Sequence, residues 1–302
     1  MDGALSEARA EALRPRLDAF LGRIDVATRI GFDPVELPRR FTDPRDIEVV
    51  ALLSACLAYG RADLFKPKLE LLLAGMGPSP SRFVAALNVE RAAALLRGFV
   101  YRFNVATDLA VLLLGMGRAL REHGSLEAVF ALHFRRTGTL RGALEGFARE
   151  IRSVPMDAIR GALGKERGLD HLLPTRLGAG AAKRLNLFLR WMVRGPDAVD
   201  MGIWRLVPAS VLMIPLDTHV ARMARNLELT SRRDLGWRTA EEVTASLRRL
   251  DPLDPVKYDF ALCHYGMSGM CPARPLAENC ARCFLLEGCR VGPALVRRAG
   301  LG

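Results

Sequence analysis

The stretch DPRDIEVVALLSACLAYG (43–60) decides the fold class. An aspartate and a proline open it, acids fall in its first turn, and Ile47, Val50, Leu53 and Leu57 recur at helical spacing. Asp followed by Pro marks a helix start: the carboxylate accepts backbone N–H bonds, and proline removes an N–H that would have no partner anyway. Comparable apolar stripes run through 63–75, 105–121, 138–152, 181–194, 217–227, 238–250 and 255–267. No run alternates with a period of two between turn dipeptides. Turn punctuation falls between the helical stretches, at GMGPSPS (75–81), RGPDAVD (194–200) and LDPLDP (250–255). The expected fold is all-α.

Working outward, composition bounds the function. The 302 residues are 50% apolar, enough for one large or two ordinary cores. The net charge is +11, of which residues 1–150 carry +3 and residues 151–302 carry +8. A basic second half suits a polyanionic partner such as nucleic acid, although arginine-rich chains are often basic without one. The N-terminal MDGALSEARAEALRPRLDAF has no apolar signal region, and VVALLSACLAYG (49–60) and LAVLLLGMG (109–117) are too short to span a membrane. These features predict a soluble, cytoplasmic, nucleoid-associated protein with no membrane partner, acting as a monomer.

Four of the six cysteines crowd into CPARPLAENCARCFLLEGCR (271–290). Cys271, Cys280, Cys283 and Cys289 are spaced C-x8-C-x2-C-x5-C, and a C-x2-C pair lets two thiolates reach one metal centre from a single turn. One such knuckle with longer flanks suits a cuboidal iron–sulfur cluster, and zinc is the alternative. Cys56 and Cys263 read as buried small hydrophobes.

In LPTRLGAGAAKRLNLFLRWMVR (173–194) a glycine-containing turn leads into an amphipathic helix. Leu185, Phe188, Leu189 and Met192 form its apolar stripe; Lys183, Asn186, Arg190 and Arg194 lie along its polar face. Bare N–H groups at Gly178–Gly180 would suit a phosphate. Lysine is scarce in this chain, with five against 39 arginines, and Lys183 opens the helix. A lysine can lose its proton and act as a nucleophile, which an arginine cannot; a phosphate-contacting or solvated lysine is the plainer reading. Downstream, Asp217 in PLDTHVARMARN (215–226) stands at a helix start and reads first as an N-cap.

These segments resemble the endonuclease III-like DNA glycosylases of the helix-hairpin-helix superfamily. That group closes a [4Fe-4S] loop with C-x6-C-x2-C-x5-C, so the last two intervals match and the first is two residues longer. KRLNLFLRW resembles the lysine-led helix of archaeal oxidised-guanine glycosylases, and LDTHVARMARN resembles the superfamily's VDTHVxRVxxR. The chain as a whole is identified as a member of the DUF2400 branch through AYGR, KRLNxFLRWMVR, PLDTHV and DPVKYDFAL, over about residues 33–290.

The resemblance implies a two-lobed helix-hairpin-helix glycosylase-like fold with a C-terminal [4Fe-4S] loop. One six-helix lobe (45–200) would end in the hairpin; residues 1–44 and 201–302 would form a second helical lobe carrying the cysteine loop, about 271–289. It implies a DNA repair glycosylase with AP-lyase activity on damaged duplex, with Lys183 as Schiff-base nucleophile and Asp217 as its carboxylate partner. A non-catalytic binder of damaged or structured nucleic acid is the alternative. Gly178, Gly180, Arg184, Arg190, His219, Arg222 and Lys257 would contact DNA, and Arg274, Arg282 and Arg290 would be presented by the cluster loop. Cys56 replaces the glutamine that fills the emptied base stack in LSAQ-bearing relatives, leaving Tyr59 or Arg61 for that task. The separation between Lys183 and Asp217 is about twice the family's, so 194–210 reads as an insertion that loops out and returns the chain to the site.

Overall fold

A computed structural model describes residues 5–178 and 180–301, and it is mostly helical. In chain order the helices begin with α1 (Glu7–Leu21), α2 (Val26–Ile30), α3 (Pro44–Leu57), α4 (Ala62–Met76), α5 (Pro80–Ala85) and α6 (Val89–Leu95). A two-residue hairpin, β1 (Val100–Tyr101) and β2 (Asn104–Val105), pairs antiparallel. There follow α7 (Ala106–His123), α8 (Leu126–Thr137), α9 (Leu140–Ile151), α10 (Met156–Leu163), α11 (Leu169–Leu172) and α12 (Lys183–Val193). The last are α13 (Thr218–Asn226), α14 (Trp237–Leu250), α15 (Asp259–Met267), α16 (Ala277–Ala281) and α17 (Gly292–Arg298). Among the described residues no helix is long and apolar enough to cross a membrane.

The chain divides into two compact units, residues 30–177 with 191–207, and residues 1–29 with 178–190 and 208–302. Relative to the boundaries expected from sequence, 30–44 and 201–207 group with the larger unit and 178–190 with the smaller.

In the larger unit, the opening stretch becomes α3. Asp43 caps it by accepting from Arg45 N at 2.8 Å, Pro44 fills the first position, and every residue from Asp46 to Leu57 is buried. Burial on all sides makes α3 a central helix rather than an amphipathic surface one. Its one buried glutamate, Glu48, caps α8 from a distance: its oxygens accept from Leu126 N and Glu127 N, both at 2.9 Å, and from Trp204 Nε1 at 2.6 Å. Burial pushes the Glu48 carboxyl up to about 7, against the pull of those donors. The apolar LAVLLLGMG is the equally buried core of α7. There a Cβ on Gly115 would sit 1.8 Å from Ile151 O, and one on Gly117 1.9 Å from Val84 O, so glycine sets how closely helix and backbone approach. Buried Asp108 ties the hairpin to the 167–168 turn through Val105 N, Arg167 N and Gly168 N.

Residues 191–207 are folded into the larger unit rather than looped out. Met201 N and Trp204 N bond to the carbonyls of Trp191 and Met192 at 3.0 and 2.8 Å, and Trp204 packs on Phe130. Arg194 pairs with Asp197 and Asp200.

In the smaller unit, both ends of the sequence meet. Leu5 N donates to Ser246 Oγ, Arg9 Nη2 donates to Gly288 O, and Tyr258 Oη donates to Asp18 Oδ1 at 2.7 Å. Leu13, Leu17 and Phe20 of α1 are buried, and Phe20 meets Tyr265 edge-on at 5.1 Å.

Candidate active site and cysteine cavity

Asp217 is fixed before any chemistry is asked of it. As the N-cap of α13, its Oδ1 accepts from His219 N at 2.9 Å and Val220 N at 2.8 Å. That leaves Oδ2 turned toward Lys183, whose Nζ lies 3.1 Å away. The lysine side chain keeps 35% exposure and the aspartate 15%, so the pair is reachable yet shielded. Burial works against both charges; Asp217 with Cys263 outweighs it at Lys183, and Lys183 with the Val220 amide outweighs it at Asp217. The Lys183 ammonium is held above the ordinary lysine value, and the Asp217 carboxyl below the ordinary aspartate value.

Among the described residues of the turn before Lys183, Ala182 is the strained one. Ala182 has φ +48°, the left-handed region that costs a residue with a Cβ. Asn186 stabilises the turn by donating from Nδ2 to Ala181 O at 2.9 Å, and Ala181 N donates to Leu235 O. Gly178 and Gly180 are exposed, and a Cβ added at Gly180 would meet nothing within 4 Å. Ala179 lies outside the described residues.

Several expected DNA contacts face elsewhere. Arg190 is 2% exposed and forms an ion pair with the equally buried Asp259, so it is a core residue and not a phosphate contact. The polar face of α12 is covered at that point by α15, and Asn186 is buried with it. Lys257 is engaged by Asp18 and Asp251, each at 3.0 Å, and clamps α1 against the 251–257 segment. His219 Nδ1 lies 3.0 Å from Gly266 O, to which Arg222 Nη2 also donates at 2.7 Å. Gly266 permits this approach, since a Cβ there would sit 3.0 Å from that of His219. Arg184 is half-buried.

In the larger unit, Tyr59 is held in an aromatic group with Tyr101, Phe103 and His171, and its hydroxyl lies 2.6 Å from Asn104 Oδ1. A ring fixed in this way is not free to swing out. Arg61 is exposed and paired with Asp63 at 2.6 Å. The exposed ring of the group is Phe103, at 52%.

Two residues beside Lys183 and Asp217 were not anticipated in these roles. Cys263 has its sulfur 3.7 Å from Asp217 Oδ2 and 3.9 Å from Met267 Sδ, so it borders the dyad instead of filling a core. Asp259, pushed up to about 6 by burial against the pull of Arg190, lies one helical turn before it. Asp259, Cys263 and Met267 follow i, i+4, i+8, which places them on one face of α15 and was visible in the sequence.

The four loop cysteines line one cavity, walled by Met270, Pro272, Pro275, Leu286 and Val291. Two N–H groups point at sulfurs: Asn226 Nδ2 at Cys271 and Gly292 N at Cys289, both at 3.3 Å. The Tyr265 hydroxyl is buried and faces Cys283. Four thiols on one cavity, with apolar walls and two N–H donors at the sulfurs, have the chemistry of a thiolate-bound metal centre.

A family model described as a protein of unknown function (DUF2400) matches residues 33–268. No curated protein and no solved structure matches the chain.

Proposed function

This chain belongs to the DUF2400 family, and we propose that it is a DNA repair glycosylase with AP-lyase activity, working on damaged duplex DNA through Lys183. The observation that carries this reading is the Lys183–Asp217 pair at 3.1 Å, formed across 34 residues of sequence. In the proposed reaction, neutral Nζ bonds to deoxyribose C1′ as the N-glycosidic bond breaks, and the base departs with that electron pair and takes up a proton. Ring opening gives the Schiff base, and loss of the proton from C2′ expels the 3′ phosphate. Asp217, capped and therefore preorganised, offsets positive charge developing on the sugar. Open space at Gly180 suits close approach of a phosphate to backbone.

Cys271, Cys280, Cys283 and Cys289 would hold a [4Fe-4S] cluster, with Asn226 and Gly292 donating to its sulfur ligands. The cluster would fix the loop that carries Arg274, Arg282 and Arg290 and would take no part in base excision. Zinc in the same position gives a colourless protein; the iron cluster gives a brown one.

One observation favours a second reading. Asp217 holds the Lys183 ammonium charged, as a phosphate contact in a non-catalytic binder of damaged or structured nucleic acid would be. Borohydride trapping on abasic and lesion-bearing duplexes separates the two. The catalytic reading expects a covalent adduct that Lys183→Ala abolishes. No adduct on any lesion, or an adduct that survives the substitution, leaves the binder.

A further inference from the structure

At the far end of α7 from the hairpin, three helices of the larger unit bring together two histidines and two glutamates that the proposed chemistry does not use. Glu122 and His123 end α7, His133 lies on α8 and Glu150 on α9. One ligand atom from each of Glu122, His123 and Glu150 lies within 4.8 Å of the others. His123 Nε2 is 3.7 Å from Glu150 Oε1, and His133 Nε2 is 3.6 Å from Glu150 Oε2. We propose that Glu122, His123, His133 and Glu150 form a divalent transition-metal site, best suited to zinc, that ties α7, α8 and α9 together.

Three features point to a ligand rather than to a plain ion-pair cluster. First, His133 Nε2 is buried without a hydrogen-bond partner, although its ring faces a carboxylate. Second, that ring is seated against a glycine: a Cβ at Gly146 would sit 2.4 Å from His133 Nδ1. Gly146 precedes Glu150 by one helical turn, so its missing side chain admits the imidazole to the carboxylate's face. Third, the separations approach those the ion needs. Zinc bonds of about 2.0–2.1 Å in a tetrahedron place ligand atoms about 3.4 Å apart. Glu122, His123 and Glu150 already lie within 4.8 Å of one another, and His133 joins them through Glu150 at 3.6 Å, so its ring would have to turn further inward to complete the set.

Arg118 lies against both carboxylates, with Nη1 2.6 Å from Glu122 Oε2 and Nη2 3.1 Å from Glu150 Oε1. It also donates to the Glu150 main-chain carbonyl at 2.5 Å. That bond lets the guanidinium stay anchored while the carboxylate oxygens turn to a cation. Arg118 pairs with both carboxylates, and Arg136 and Arg149 also stand near His133, so a bound cation has to take the carboxylates over from Arg118. Mixed imidazole and carboxylate ligands select zinc, cobalt or nickel over magnesium and calcium.

The test uses the full-length protein with Co²⁺ as a spectroscopic probe and Zn²⁺ as competitor. The expected result is one Co²⁺ per chain with tetrahedral visible bands and no thiolate charge-transfer absorption, displaced by Zn²⁺. His123→Asn/His133→Asn should weaken this binding by at least about 100-fold, more than the loss of an outer-shell partner costs a metal site. The iron or zinc held by the cysteine loop should be unchanged, which keeps this outcome separate from the glycosylase reading. Circular dichroism establishes that the variant is folded, and Glu122→Gln is the milder second variant. No cobalt binding, a spectrum dominated by thiolate bands, or equal affinity in the folded double variant overturns the site.

Discussion

Replacing Asp217 separates what the carboxylate does for the fold from what it does for chemistry. Asp217→Ala removes both capping bonds to His219 N and Val220 N together with the ion pair to Lys183. Loss of a cap costs about 1 kcal/mol, within a range of roughly 0.5–2. The ion pair adds at most roughly 1 kcal/mol, because a lysine that remains 35% exposed is screened by water. Urea unfolding should therefore show a loss of about 2 kcal/mol at unchanged m-value. Asp217→Asn keeps a capping oxygen, since asparagine caps as well as aspartate, and gives up only the charge; its loss should stay below about 1 kcal/mol. In borohydride trapping the two variants should be alike, each reduced by at least about 100-fold, the scale of a lost acid–base group. An asparagine variant as unstable as the alanine one would refute the capping argument. An asparagine variant that traps like the wild type would leave Asp217 as a cap and nothing more.

Other substitutions probe the core. Arg190→Leu strands the Asp259 carboxylate and should cost about 3–5 kcal/mol in urea unfolding, while Arg190→Leu/Asp259→Leu should recover most of that; a phosphate-binding Arg190 would instead lower DNA affinity without destabilising the fold. Gly115→Ala drives a Cβ into the Ile151 carbonyl and should cost at least about 3 kcal/mol in the same assay, the upper end for overpacking. Glu48 holds its proton more tightly folded than unfolded, so its contribution is fully present below its ordinary value near 4.5 and is lost as pH rises through about 7. Relative to Glu48→Gln, wild-type stability should accordingly fall between pH 5 and 7, and a flat difference would contradict that.

Local signals in the sequence carried much of this. The stripes in 43–60 and 105–121 foretold helices, because both the start signal and the period lie within one element, but not that α3 and the 109–117 run are buried on all sides. Lys183 and Asp217 stood out for the same reason: each opens a helix, and a helix start constrains its own side chain. What lay beyond reach were partners from distant elements. Periodicity placed Arg190 on the polar face of α12, but it says nothing of what covers that face, and the cover is Asp259, 69 residues on. Lys257 read as a surface cation because its partner Asp18 stands at the other end of the chain. Residues 194–210 looked like an excursion, since nothing local announces that Trp204 reaches Glu48.

The remaining problem is the proton. A nucleophilic amine must be neutral, yet Asp217 holds Lys183 charged and is itself held ionised, so the resting pair stores the proton on the attacking atom. The ammonium loosens that proton only when another cation occupies the carboxylate's field, and the proton then goes to solvent because Asp217 stays ionised. On the proposed reaction, that cation is the sugar: as the base departs, cationic character beside Oδ2 competes with the ammonium, and a cation next to a lysine favours its neutral form. The amine must be neutral when it bonds to C1′, so the proton leaves Lys183 before or during attack and the rate carries the neutral fraction of the resting lysine. Because the resting lysine lies above its ordinary value, the neutral fraction rises tenfold per pH unit throughout the neutral range. Single-turnover trapping should follow it from pH 6.5 to 8.5. Cys263 borders the same carboxylate oxygen, so Cys263→Ala should shift that profile while leaving α13 capped. A trapping rate independent of pH across that range would mean that Lys183 is already neutral at rest, and that the ion pair is not the resting state.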